Sequence, residues 1–323
     1  MSPKTKDIIL QALRDHPDRY LSGQDLADQL SISRQAVWKA IKDLRQMGHP
    51  IESLPKRGYR LDNQPLPLRE DKIRQRLIPQ IKDLPLWIYP SLDSTNRVLS
   101  DLDKERDLPS LSLVLAEEQT QGRGRMGKSF QSPAYTGIYL SFLLKKDQGF
   151  SLDLVTIKAS LALCLAIEEE TDKTPQIKWV NDLYLEGKKI AGILTEGKIE
   201  KQGLTQSIVG IGLNFATPRE VFQEDLRDKA TSLFAQGVCR EEIIASCLNH
   251  FYDLEKTWTP EEIIQAYSQR NLVLGREVSF LLGDISYQGQ AKKITPEGYL
   301  LVDVDGQEVC LNSGQVSLLG DWS

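Results

Sequence analysis

Gly122-Arg123-Gly124-Arg125-Met126-Gly127-Lys128-Ser129 satisfies two nucleotide-site patterns at once, and the choice between them, or against both, decides the fold. Gly122, Gly127, Lys128 and Ser129 complete the phosphate-loop string G-x-x-x-x-G-K-[ST], while Gly122, Gly124 and Gly127 complete the dinucleotide string G-x-G-x-x-G. Both need a strand before the loop, which Ser112 to Glu118 can supply, and directly after it a helix whose N-terminal amides hold phosphate. No such helix is legible. Pro133 and Gly137 stand where it should run, and Ile138 to Leu144 then reads as a strand. Both nucleotide folds are therefore set aside for a mobile loop carrying two arginines between two strands. Its glycines let the backbone close over a ligand, and Arg123, Arg125 and Lys128 bring charge suited to phosphate or carboxylate oxygens. On charge alone, a solvated basic hairpin tip fits equally.

With 323 residues, the chain has material for two or three domains with their own cores. Apolar residues at 40% and charged residues at 26% are those of an ordinary globular protein. The net charge of −5 means that any nucleic-acid contact must come from a local basic face. No apolar stretch approaches a membrane span, and the N-terminus lacks the apolar core of a signal peptide, so a cytoplasmic location without membrane partners is expected. Cys164, Cys239, Cys247 and Cys310 form no C-x-x-C pair, which argues against a zinc site and gives no disulfide framework. His16, His49 and His250 are isolated, so no protein-only metal cluster and no histidine triad is expected.

The first sixty residues form a separate unit. Ile8, Ile9, Ala12 and Leu13 make a helical stripe, Ser22 caps a short helix carrying Leu26, Ala27 and Leu30, and Ser33 begins a third helix. That helix has Ala36, Val37, Ala40, Ile41 and Leu44 at core spacing, with Gly48 as its stop. Two extended segments around Ile51 to Leu54 and Tyr59 to Leu61, joined by Pro55-Lys56-Arg57-Gly58, make a wing. From Ser22 to Arg60 seven Lys or Arg face four acids, a net of +3 inside an acidic chain, the footprint of a DNA-binding winged helix-turn-helix. The candidate contacts are Ser22, Ser33, Arg34, Gln35, Lys39, Lys42, Lys56 and Arg57. Winged helices also dock proteins, and a charged outer face can be merely solvated.

Residues 63–82, rich in proline and charge, read as a linker. Beyond them strands and helices do not alternate regularly, which favours a mixed α+β sheet over a doubly wound one. Strand candidates are Leu84 to Tyr89, Ile177 to Val180, Leu183 to Leu185, Ile190 to Thr195 and Ile208 to Phe215. Helices are expected from Arg97 to Leu102, capped by Asp93-Ser94-Thr95-Asn96, along Leu154 to Ile167, and from Glu241 to Trp258. After Asn271 four alternating segments separated by tight turns suggest a small β-barrel.

Asp93-Ser94-Thr95-Asn96, Gln119 to Arg125, Lys178-Trp179-Val180-Asn181-Asp182-Leu183 and Lys189-Ile190-Ala191-Gly192-Ile193-Leu194-Thr195-Glu196, in this order, resemble the biotin–protein ligase family. With a winged helix in front, the likeness is to its bifunctional ligase and biotin-operon repressor branch and covers nearly the whole chain. It implies an α+β protein divided into a winged helix-turn-helix (1–62), a linker (63–82), a mixed α/β ligase domain (83–270) and a C-terminal SH3-like β-barrel (271–323). It implies that biotin and ATP, with Mg2+ on the nucleotide, give biotinyl-5'-AMP, and that a lysine of the biotin carboxyl carrier protein of acetyl-CoA carboxylase then takes the biotin. It also implies a homodimer, formed when the adenylate is bound, that represses biotin genes at operator DNA. Alternatives are a ligase without regulation, a lipoate ligase on a related fold, and a regulator that only senses a small acid.

By this resemblance Ser94, Thr95, Asn96, Gln119, Arg123, Gly124, Arg125 and Lys178 hold biotin, while Gly122, Arg123, Arg125, Lys178, Asn181 and Asn214 hold ATP or the adenylate. Arg125 and Lys178 are the expected catalytic cations, because joining a carboxylate to an anionic phosphate requires stabilisation of the developing charge. Asp182 is a candidate for deprotonating the incoming lysine. Val180 stands where many relatives carry proline, and Met126 where a further basic residue is common. The stretch from Ala216 to Ser232, expected to fold over the adenine, lacks tryptophan, so Phe215, Val221 or Phe222 would have to supply apolar cover.

Overall fold

The computed structural model describes residues 5–319 apart from 15, 17–18, 47–50, 62–66, 202, 236, 284, 313 and 315. Gly48 and residues 63–66 of the expected linker lie outside the described residues. The chain divides into two compact units, Met1–Pro67 and Leu68–Ser323.

In the first unit, α1 (Thr5–Arg14), α2 (Gly23–Leu30) and α3 (Arg34–Gln46) precede a hairpin of β1 (Ile51–Leu54) and β2 (Gly58–Leu61). Ser22 begins α2 by accepting the Asp25 amide at 2.9 Å, and Ser33 begins α3 by accepting the Ala36 amide at 3.1 Å, so two orphan donors of the helix starts are satisfied. Ile9, Leu13, Leu26, Val37, Ile41 and Leu44 close the core. Leu21 and Tyr59 exchange backbone hydrogen bonds of 2.7 and 2.8 Å, which sews the wing to the start of α2.

Residues 68–82 are not an open linker: α4 (Glu70–Arg76) forms there, and Leu68, Ile73, Leu77 and Ile81 are buried in the main core. Their apolar spacing is diluted by seven charged neighbours between 69 and 82, which hides the helix from a compositional reading.

A seven-stranded sheet follows, built from β3 (Leu86–Tyr89), β4 (Leu113–Ala116), β5 (Gly137–Lys145), β6 (Gln176–Lys178), β7 (Asp182–Leu185), β8 (Lys188–Glu200) and β9 (Gly203–Asn214). Its order is β3-β4-β5-β9-β8-β7-β6, with only β3 and β4 parallel. Side chains alternate across a strand. Ile138, Leu140, Phe142 and Leu144 of β5, with Val209, Ile211 and Leu213 of β9, therefore join one core under α6 (Val155–Glu170), α7 (Arg240–Lys256) and α8 (Pro260–Gln269). The opposite face carries α5 (Thr95–Arg106), whose Leu99 packs on Val114, Leu143 and Ile208. Residues of the remaining parity, Ser141 of β5 and Gly210 and Gly212 of β9, face this side.

Beyond α8, strands β10 (Glu277–Leu282), β11 (Ile285–Ile294), β12 (Leu300–Val304), β13 (Gln307–Leu311) and β14 (Val316–Leu318) form an antiparallel sheet in the order β13-β12-β11-β10-β14. The Trp179 indole donates to the Gly298 carbonyl at 3.1 Å and so ties the seven-stranded sheet to this one.

Candidate functional site

A cavity of about 320 Å³ opens beside the N-terminus of α5, over the glycine-bearing face of β8 and β9. Its floor is decided by what is absent. A methyl group on Gly210 would stand 2.3 Å from Asn96 Oδ1, and one on Gly212 would stand 2.6 Å from the Phe130 ring, so only bare backbone lets these side chains lie across the sheet.

A hydrogen-bonded chain runs along one wall. Gln119 Oε1 accepts the Thr95 amide at 2.9 Å and lies 3.1 Å from its hydroxyl, while Gln119 Nε2 donates to Ser132 Oγ at 3.0 Å. Ser141 Oγ lies 2.7 Å from Thr95 Oγ1 and 2.5 Å from Asn96 Oδ1, and Asn96 Nδ2 donates to Glu196 at 2.6 Å. Ser94 occupies the N-cap position of α5 without a side-chain capping bond, and its side chain contributes to the wall.

The arginine loop forms the second wall. It is a folded hairpin, closed by Gly124 N–H to Lys128 O at 2.7 Å and Phe130 N–H to Gly122 O at 2.9 Å. β5, not a helix, follows it. Arg125 donates to Asn181 Oδ1 at 3.0 Å, and the same amide donates to Ile193 O at 2.9 Å. The Lys178 ammonium lies 5.7 Å from the Tyr184 ring centroid. Burial holds its pKa below the ordinary lysine range; Asp182 opposes that shift, and the charges of Lys189 and Lys128 add to it. The Trp179–Val180 peptide is cis.

Of the expected ligand residues, Ser94, Thr95, Asn96, Gln119, Arg123, Gly124, Arg125, Lys178 and Asn181 all line this one cavity. Gly122 and Asn214 are not among its lining residues. Gly122 packs at the loop's base, where a methyl group would meet Phe130 O at 2.3 Å. Asn214 donates to Thr231 O at 3.2 Å and so pins the returning loop. Phe215, Val221 and Phe222, the expected apolar cover, are not among the cavity's lining residues either. Phe222 is buried, Val221 is exposed, and Leu226, Lys229 and Ala230 reach the cavity instead.

The sequence reading overlooked Lys189 as a site residue. It lines the cavity and pairs with Asp182 at 2.7 Å, so the candidate base is already held by a cation. Its signal was its place at the head of the Lys189-Ile190-Ala191-Gly192 motif. Gly192, Gly210 and Gly212 were overlooked too, although Val209-Gly210-Ile211-Gly212-Leu213 places glycine at strand period between buried apolar residues. Six cationic side chains (Arg123, Arg125, Lys128, Lys178, Lys189 and Lys229) line the cavity against one carboxylate, Asp182, a balance that suits anionic ligands. Among the described residues no cluster of three or more His, Cys, Asp or Glu could hold a metal ion.

The first unit carries a second candidate surface. Arg34, Gln35, Lys39, Lys42, Lys56 and Arg57 are all exposed. Two other cations counted in the sequence serve the fold: Arg45 donates to Ile51 O at 2.8 Å and Arg60 pairs with Glu52 at 2.8 Å. Ser22 and Ser33 use their hydroxyl oxygens as helix caps.

Comparison with known proteins adds to this geometry. The model of the biotin/lipoate A/B protein ligase family matches residues 88–214, an HTH domain model matches 6–60, and the biotin protein ligase C terminal domain model matches 273–319. The chain is 32% identical to the bifunctional ligase/repressor BirA of Bacillus subtilis, over 93% of this chain and 94% of that protein. It is 29% identical to the BirA of Escherichia coli, over 98% of each. Among solved structures, the biotin protein ligase from Aquifex aeolicus in complex with biotin and ATP aligns with a TM-score of 0.61 at 27% identity, covering 73% of this chain and 99% of that one. No described helix is long and apolar enough to cross a membrane.

Proposed function

This chain belongs to the biotin–protein ligase family, and we propose that its cavity makes biotinyl-5'-AMP from biotin and ATP and its first unit turns that product into a signal at DNA. The protein is an ATP-dependent biotin–protein ligase with repressor activity. The observation that carries the site assignment is that four motifs separated by up to a hundred residues bring their polar and cationic groups to one cavity.

Ser94, Thr95, Asn96 and Gln119 offer hydroxyl and amide groups matched to a ureido ring. Arg123, Gly124 and Arg125 close over the ligand. In the first step the biotin carboxylate oxygen attacks the α-phosphorus and pyrophosphate leaves. Arg125, Lys178 and Lys189 offset the repulsion between the two anions and stabilise the charge that develops on the phosphorus oxygens. Asn181 fixes Arg125 for this task, and Leu226 and Ala230 cover the adenine. In the second step the carrier lysine's neutral amine attacks the acyl carbonyl and AMP leaves. The loop's contribution there is to keep water from the mixed anhydride. Mg2+, bound through the nucleotide's phosphates, would supply further charge; no residue cluster is assigned to it.

The remaining parts of the proposal rest on family membership. These are the carboxyl carrier protein of acetyl-CoA carboxylase as acceptor, operator DNA on α3 and the wing, homodimerisation on adenylate binding, and a cytoplasmic place of work. The SH3-like closure of the C-terminal sheet and the separation of residues 271–323 as a domain of their own belong with them. Incubating the protein with biotin, ATP and a biotin carrier domain and then weighing the carrier tests the ligase assignment. A gain of one biotinyl group per carrier is expected. An unmodified carrier, or lipoate used in place of biotin, would overturn it.

A further inference from the structure

We propose that Trp38 is a sequence-reading residue whose indole face packs against thymine methyl groups in the major groove of duplex DNA. The inference rests on the reading of the first unit as a DNA-binding module and goes beyond it by assigning the base feature that is read.

Trp38 lies in the second turn of α3, yet it does not belong to the core that this helix helps to close. Val37, Ala40, Ile41 and Leu44 fill that core, whereas Trp38 is 57% exposed. A large aromatic side chain is usually well buried on average; a single exposed one is common on surfaces, and what distinguishes Trp38 is its place on the helix face among cations that are unpaired among the described residues. Its helical neighbours are Arg34 four residues before, Gln35 three before and Lys42 four after, so all four side chains share one stripe. All are exposed, and among the described residues none of Arg34, Lys39 and Lys42 has a carboxylate partner. The Lys42 ammonium stands 5.5 Å from the Trp38 ring centroid, which pairs the aromatic surface with a positive charge.

Charge complementarity selects a polyanion as the occupant of this stripe. The cations can neutralise phosphates, which gives affinity and register but no sequence information. The Gln35 amide matches adenine. An indole face carries no hydrogen-bonding pattern to match a purine edge, and the one apolar feature that a base pair shows in the major groove is the thymine C5-methyl group. Residues in the first turns of a recognition helix are those that reach base edges, and Trp38 is the fifth residue of α3.

The test uses the full chain with biotin and ATP present. A random duplex library is enriched on the protein, and the enriched duplex becomes the probe. Each thymine is then replaced by deoxyuridine, which removes only the methyl group. The wild-type protein is expected to lose about fourfold in affinity for each contacted methyl, the worth of one buried carbon. Trp38→Ala should bind the thymine and deoxyuridine duplexes equally, and Trp38→Phe, which retains an apolar ring, should keep a preference for thymine. An undiminished thymine preference in Trp38→Ala would overturn the proposal. So would a wild-type protein indifferent to every deoxyuridine, or one whose loss follows 7-deazaguanine instead, since that would mean the indole N–H reads a purine. If no duplex is enriched at all, the DNA-binding reading itself fails, which is distinguishable from a bound duplex without methyl sensitivity.

Discussion

Replacing Gly210 with alanine tests how the cavity floor sets biotin recognition. The added methyl group would lie 2.3 Å from Asn96 Oδ1 and 3.1 Å from its Cγ, so the carboxamide must retreat by roughly 1 Å to reach an ordinary contact, a strain of the overpacking kind. A free asparagine would swing aside at little cost. Asn96 is not free: it is 5% exposed, Nδ2 is bound to Glu196 at 2.6 Å and Oδ1 to Ser141 at 2.5 Å. Losing both bonds costs about 2 kcal/mol at about 1 kcal/mol each, which for a chain of this size lowers the melting midpoint by roughly 3–4 °C. Because a side chain misplaced by about 1 Å can cost on the order of a hundredfold in a positioned reaction, the KM for biotin should rise at least tenfold while that for ATP stays within about twofold. Pyrophosphate release against biotin at saturating ATP, with a thermal melt in parallel, measures both. Adding Asn96→Ala removes the clash but forfeits the same two hydrogen bonds, so neither the midpoint nor the biotin KM should recover. An unchanged midpoint with an unchanged biotin KM in Gly210→Ala would refute the reasoning.

Other expectations concern the charges. Lys178→Met should abolish adenylate formation yet leave the melting midpoint equal or higher, because burial already disfavours this ammonium; a large loss of stability would make Lys178 structural. Since its folded pKa lies below the unfolded value, the folded chain binds fewer protons between the two, and stability should rise with pH across that window. Over the same window adenylation should decline as the cation is lost, earlier than for an unperturbed lysine, and Lys178→Arg should flatten that alkaline limb in a pH–rate profile. Arg125→Ala should speed escape of the adenylate and label bystander lysines, read by biotin blotting of mixed proteins; normal retention would contradict the role of the loop. Arg34→Ala with Lys39→Ala should weaken binding to the enriched duplex and reduce its salt dependence by about 0.9 in log–log slope for each phosphate that is no longer neutralised, with carrier labelling unaltered.

The winged helix was legible because its signals are local, caps and the apolar periods of single helices, while the motif residues were legible through their resemblance to a known family. What escaped depends on register. Gly210 reads as an ordinary strand glycine until β5 and β9 pair Ser141 with it, and only then does its missing side chain become the space that Asn96 fills. Asn214, assigned to the nucleotide by resemblance, shares the parity of Gly210 and Gly212, but the chain returns over it and Thr231 O accepts from its amide. The same return decides which residues of the loop line the cavity. Lys189 exchanges backbone bonds with Lys229 and Thr231, both 2.9 Å long, and this pairing turns Leu226 and Ala230 toward the cavity while Phe222 goes into the protein. Lys189 thus holds the loop by its backbone and Asp182 by its side chain, two tasks set by strands that meet only in the fold. A lysine so fixed loses little rotamer freedom when an anion arrives, and Lys189→Ala should therefore lose adenylate formation while residues 226–231, held through the backbone, keep their order. Lost hydrogen-exchange protection of that loop in the variant would refute the division of tasks between backbone and side chain.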